Sequence, residues 1–387
     1  MTPEMSNPAP KWLLRLFFLA LFFVVVRNLL PPNAFTATVL LFDYEFGLIR
    51  RGLIGEIANL FWGDTVSRSE VFLLAVITTL FGIIAAVSLF FRRTPQTLAG
   101  VLLLILIFSS FAFAAIVAST GYIDLVLIGL VCLSLFSNAA KASGIALRLA
   151  VCAFGMMMHE VMLPYFTVFF AFDIWISRPA QKLLPRVSLS ILPLVASLVT
   201  LLVLMNWGQL PDAEIAQFLQ YIDLKSEFTA EPEATIVMER TIGDNLQVMA
   251  QKRQMMDYRS WVLFDGLSLF AMTLWVIWLN LKLLRPDTDI ITRLLLVAAI
   301  LAPLSLNLIA FDVVRFGAMS VFVGFLAVSS QLRADAEVQH RLSDLMSWPL
   351  FVTVLLINLN VAVNQMNTGE GHQGLFPWVL VEQLGWL

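Results

Sequence analysis

Apolar stretches long enough to cross a lipid bilayer recur along the whole chain, and nothing constrains its fold more. A helix rises ~1.5 Å per residue and the hydrocarbon core is ~30 Å thick, so ~17 to 25 apolar residues make one crossing. Such stretches lie near 12–30, 71–91, 98–118, 123–138, 145–160, 161–177, 184–206, 260–283, 289–310, 314–332 and 346–364. They predict about eleven spans. Within lipid every backbone polar group needs an internal partner, so the expected fold is all-α: a polytopic transmembrane helical bundle forming one integral membrane domain over 1–387. Composition agrees, with 59% hydrophobic and 13% charged residues and a mean hydropathy of +0.86.

Lys11 and Arg15 ahead of an apolar run through Val26 look superficially like a secretory signal. No small-x-small cleavage site follows, and the chain continues to Arg27 and Pro31-Pro32, so the run reads as a first anchor. Arginines and lysines mark the cytoplasmic side. With the N-terminus inside, every short inner loop is basic: Arg92-Arg93, Lys141, Arg178 with Lys182, Arg285, and Arg333 with Arg341. Two long segments then fall outside, 31–70 and 206–260. The second has a soluble character, with one helix expected from Pro211-Asp212, carrying Ile215, Phe218, Leu219 and Ile222 at helical spacing, and another near Glu233 to Gln254. The tail after Asn364, rich in glycine and tryptophan, is expected on the outer surface.

Several function classes drop out. The net charge of -3 gives no bulk attraction for nucleic acid. Cys132 and Cys152 sit within apolar runs and offer neither a disulfide framework nor metal spacing. The inner loops are too short for a nucleotide-binding strand-helix-strand unit of ~30 residues, and no GxxxxGK[ST] run occurs. A substrate arriving through the bilayer fits better.

Chemistry concentrates first in Phe42 to Glu56, which carries Asp43, Glu45, Arg50, Arg51 and Glu56 together with Gly47, Gly52 and Gly55 directly after an apolar run. Charges beside a bilayer are costly unless they reach water or one another. Asp43 and Glu45, one residue apart, can point the same way and hold a divalent cation, Mg or Mn, or divide base and electrostatic roles; two solvated loop acids have the same appearance. Phe46, Ile49, Leu53, Ile57 and Leu60 follow helical spacing and predict an amphipathic helix at the outer interface. Arg50 and Arg51 beside small residues suit a phosphate or pyrophosphate, or else snorkel to headgroups.

Three further features lie in or beside apolar sequence. His159-Glu160 is expensive to bury unpaired and so expects a partner elsewhere; HEVML lacks the second histidine of a zinc protease. Asp312 and Arg315, three apart, can pair on one helical turn. Tyr122 and Asp124 fit a helix cap as well as a site. In the inferred topology all of these come to the outer half of the membrane, which argues for one shared site.

The order of a first span, an outer loop with Asp43-Tyr44-Glu45 and interfacial helices, then many spans and another outer segment resembles the polytopic GT-C glycosyltransferases and related polysaccharide polymerases. FGLIRRGLIG, with the later HE and DxxR, also resembles bacterial membrane proteins of surface-polysaccharide clusters. The resemblance implies a plasma-membrane enzyme with an extracytoplasmic active face, acting on a polyprenyl-phosphate-linked sugar or glycan donor and a glycan or lipid acceptor. It implies Asp43 as base with Glu45 assisting, and His159, oriented by Glu160, as acid/base or phosphate ligand. Arg50, Arg51 and Arg315 would neutralise the departing phosphate, with Asp312 positioning Arg315. The competing reading is a transporter or lipid-linked-glycan flippase, with His159, Glu160, Asp312 and Arg315 along its path.

Overall fold

The computed structural model describes residues 5–63, 65–239, 242–255, 267–310, 312–335 and 337–359. Among them every regular element is helical, and strand pairing is limited to two isolated bridges, Pro8 with Thr97 and Val66 with Ser226. In chain order the first elements are α1 (Lys11–Asn28), α2 (Ala34–Leu40), α3 (Gly52–Ala58), α4 (Arg68–Arg93), α5 (Leu98–Phe108), α6 (Phe111–Ala118), α7 (Asp124–Leu135), α8 (Ala142–Met158) and α9 (Val168–Ile176). They continue with α10 (Leu183–Trp207), α11 (Asp212–Lys225), α12 (Ile236–Glu239), α13 (Ile242–Met255), α14 (Leu267–Leu283), α15 (Ile290–Leu301), α16 (Val313–Ala334), α17 (Glu337–Leu345) and α18 (Trp348–Leu359).

Among the described residues four helical segments are long and apolar enough to cross a membrane: α4, α10, α15 with its 3-10 continuation through Leu308, and α16. A fifth is formed by α5 and α6 if taken as one span, although the two are bent by 41°. The uninterrupted stretch expected over 98–118 is broken there because Ser109 and Ser110 turn their hydroxyls back onto the carbonyls of Ile105 and Ile107, and Ser110 caps α6 through the Phe113 amide at 3.1 Å. Shorter apolar helices occupy the other expected stretches, α7, α8, α9, α14 and α18 among them. The tail after Asn364, and parts of 206–260, 260–283 and 346–364, lie outside the described residues.

α16 is the centre of the bundle, packed against α6, α9, α14 and α15, and its apolar window is 89% buried. A helix apolar all round belongs inside. α10 has the opposite placement, packing α8 and α9 on one side while Leu184, Val199 and Leu202 stand outward. An apolar flank of that extent suits lipid, not water.

The two segments expected outside meet each other. α11 forms as the spacing predicts, with Ile215, Phe218 and Ile222 buried. Its Phe218 ring lies 5.0 Å from Phe42 and 5.5 Å from Phe46. The bridge to Val66 then fixes the register, the Val66 amide donating to the Lys225 carbonyl at 2.7 Å and the Glu227 amide to the Val66 carbonyl at 3.0 Å.

The amphipathic helix expected from Phe46 to Leu60 is shorter than its pattern. Gly47 at φ 95° and Arg51 at φ 65° interrupt it, so helix begins only at Gly52. Its buried face is also different. Gly55 packs directly on the backbone of Leu40 and Phe42, where any Cβ would collide, so the small residues turn inward while Ile57 and Leu60 are exposed.

Candidate active site

Four distant parts of the chain enclose a crevice of about 410 Å³. The turn before α3 supplies Arg50 and Arg51, the loop before α7 supplies Tyr122, the end of α8 supplies His159 and Glu160, and the start of α16 supplies Asp312 and Arg315. Phe35, Leu306, Ile309 and Phe316 add apolar lining, and Ile236, Asn245, Val248 and Met249 from the 206–260 stretch line it as well. Charged and apolar side chains therefore share one crevice.

Arg51 grips Glu160 at two points, Nε donating to Oε2 at 3.2 Å and Nη2 to Oε1. Arg51 is the non-glycine residue with positive φ among those described, and the left-handed turn swings its side chain across to α8. Holding such a conformation costs ~1 to 3 kcal/mol and persists where surrounding structure enforces it. The third guanidinium nitrogen, Nη1, takes no part in the bond to Glu160.

His159 is buried beside this pair, its Nδ1 3.3 Å from Glu160 Oε2. The Val161 amide lies at the same 3.3 Å from Nδ1, so this one nitrogen faces both a backbone donor and the Glu160 carboxylate.

Arg315 is held more tightly still. It donates through Nε and Nη2 to both oxygens of Asp124, the latter at 3.0 Å, and through Nη1 to Asp312 at 3.2 Å, while Tyr122 lies under it at 4.7 Å from the ring centre. The pair anticipated between Asp312 and Arg315 is thus the weaker arm of a triad. Burial pushes the Asp312 carboxyl up to about 6 against the pull of Arg315, and nearby Asp124 adds to the rise.

Asp43 and Glu45 do not line this crevice. Asp43 is buried and accepts from Lys225 Nζ at 2.5 Å, Tyr221 Oη at 2.6 Å, Asn59 Nδ2 at 2.9 Å and the Glu45 amide at 3.2 Å. Burial alone would raise its pKa, but these donors outweigh it and the carboxyl is held below the ordinary value. Glu45 is exposed. With Asp43 saturated by donors, the pair does not form a cation site, and among the described residues no group of three or more His, Cys, Asp or Glu could hold a metal ion. Asp43 instead ties the loop before α3 to α11.

A second ionic cluster lies at the other end of α16. Arg148 donates to Asp173 at 2.9 Å, Arg333 reaches the other Asp173 oxygen at 2.8 Å, and Arg93 binds Ser329 at 3.3 Å. Eighteen residues separate Arg315 from Arg333, about 27 Å at the helical rise. Buried charge is therefore present at both ends of the bundle, which removes the one-sidedness used above to argue for a single site. Asp173 within FFAFDIWI was the signal: a carboxylate in so apolar a run needs a partner.

Fold and site together define an all-helical chain, several of its helices suited to crossing a membrane, with an arginine and carboxylate crevice at one end. No protein-family model, curated protein or solved structure matches it.

Proposed function

We propose that this chain is a GT-C-like membrane glycosyltransferase of about eleven spans, acting at the extracytoplasmic face on a polyprenyl-phosphate-linked sugar. The observation that carries the reading is that one crevice is lined both by Arg51 and Arg315, each paired with a carboxylate, and by apolar Phe35, Leu306, Ile309 and Phe316. That combination suits an amphiphile with a phosphate joined to a hydrocarbon chain. In transfer, the arginines would stabilise charge on the departing phosphate and His159 Nε2 would donate to it. Asp312, whose proton affinity lies near neutrality, takes the role of base that the resemblance gave to Asp43. Asp43 becomes a latch between the loop before α3 and α11.

The test is transfer from a panel of polyprenyl-phosphate sugars by purified protein in liposomes. Asp312→Asn is expected to abolish transfer while donor binding persists. Unchanged transfer in that variant, or the absence of donor binding in the parent protein, sinks the reading.

One observation favours the transporter reading instead: the helices beside the crevice are discontinuous, with a π-helical turn at Leu163–Thr167 and a 3-10 segment at Ala302–Leu308. Movement of a labelled lipid-linked glycan across the liposome, with no transfer product, would select it.

A further inference from the structure

Tyr165 is wholly buried in the π-helical turn of Leu163–Thr167, and among the described residues its hydroxyl takes no hydrogen bond. Such turns depart from the α-helical register and recur at functional sites. Here the ring packs edge-on against Phe166 at 5.9 Å and against Phe316 at 6.3 Å, the latter next to Arg315 in the chain. The charged neighbours of its hydroxyl are Asp124, Arg315 and Asp312. A buried hydroxyl left without a partner is costly, and one that stands beside two carboxylates yet bonds neither calls for a cause.

The triad around Arg315 supplies one. Its Nε and Nη2 close on Asp124, and its Nη1 donates to Asp312. A phosphate gripped at two points needs two adjacent N–H groups of one guanidinium, and the pair on the Nε side is already taken. The other pair includes Nη1. A phosphate there shares that nitrogen with an anion it repels, and the 3.2 Å bond to Asp312 is the arm that yields. A carboxylate stripped of its donor in a buried setting is expensive, so a second donor must follow. The end of α8 does not provide it: Glu160 is an acceptor paired with Arg51, and His159 turns Nδ1 to Glu160. Tyr122 covers the guanidinium with its ring. The Tyr165 hydroxyl is the idle donor in the cluster.

We propose that Tyr165 is a positioning residue: when the phosphate of the amphiphile draws Arg315 Nη1 from Asp312, the Tyr165 hydroxyl donates to Asp312 instead and keeps that carboxylate in place. The proposal rests on the glycosyltransferase reading, in which Arg315 meets the phosphate and Asp312 is the base. A bond missing in the free protein is thereby gained in the complex.

Farnesyl phosphate, a short polyprenyl monophosphate, is titrated into the full-length parent protein and into Tyr165→Phe in detergent, with thermal unfolding followed in each. Without the probe the variant is expected to melt at or above the parent, since the hydroxyl it lacks made no bond. It should bind the probe about tenfold more weakly, the scale of one hydrogen bond to a charged group. In transfer from a polyprenyl-phosphate sugar, the rise of kcat with ionisation of Asp312 should move to higher pH, because a donor to the ionised form is gone. A purely structural tyrosine gives the reverse: a lower melting temperature, with affinity and pH profile unchanged. That reverse pattern, failure of the variant to fold, or equal affinity in the two proteins overturns the proposal and leaves the glycosyltransferase reading standing. A parent protein that does not bind farnesyl phosphate overturns both.

Discussion

Arg315 closes on Asp124 with two parallel N–H bonds, although 191 positions separate them in the chain. The fork fits a carboxylate in a way a lysine ammonium cannot, because only guanidinium offers two donors in one plane. Arg315→Lys therefore keeps the charge but loses the geometry, and also leaves the Tyr122 ring uncovered. Transfer is expected to fall ~10² to 10³-fold, as for removal of an aimed donor. Initial rates would show it, and near-normal rates with lysine would mean that charge alone is used.

A pH profile tests Asp312 directly. A base must be ionised to act, so with its carboxyl pushed up to about 6 the rate should rise with pH through that value. Asp312→Asn should remove this rising limb and lower the plateau ~10² to 10⁴-fold. A limb that survives in the variant assigns the base elsewhere.

The Asp43 latch predicts a stability effect of opposite sense. Its pKa is depressed in the fold, so its contribution is full above the unfolded value of ~3.9 and is lost as pH falls through the folded value. Lys225→Met leaves the carboxylate buried with one partner fewer, and a loss of about 3 kcal/mol is expected. Thermal unfolding in detergent should show Lys225→Met destabilised at pH ~7 and converging on the parent only as pH falls below ~3.9 and through the lowered value of the folded carboxyl. A constant difference across that range rules out the ion pair as the cause.

Helix positions were legible in the sequence because span length and apolar runs are local properties. The pairing of His159-Glu160 with a distant partner was expected, since buried charge demands one, and Arg51 supplies it. Its identity was not readable, because nothing local says which of many arginines crosses 109 residues. Asp43 misled for the same reason. A DxE beside a span has the same letters whether it faces a substrate or Lys225, and Lys225 lies 182 residues away. The interfacial stripe was legible only in part: Ile57 and Leu60 stand outward, but the positive φ of Gly47 and Arg51, which periodicity does not register, delays the helix to Gly52.

The cluster around Asp173 separates an enzyme from a carrier. Arg148 and Asp173 are both wholly buried, Arg333 and Ser137 complete the network, and the α16 stretch from Phe316 to Phe325 between the two charged ends is apolar except for Ser320 and its glycines. No charged residue of α16 bridges the two ends, so the far cluster acts as a tie among α8, α9 and α16. Asp173→Asn would leave Arg148 and Arg333 facing each other without their shared anion, a loss of ~3 to 5 kcal/mol. The expected result is a lower melting temperature, with kcat per folded molecule unchanged at the distant crevice. If turnover or transport falls in protein that remains folded, the cluster belongs to a path through the membrane, and the carrier reading takes precedence.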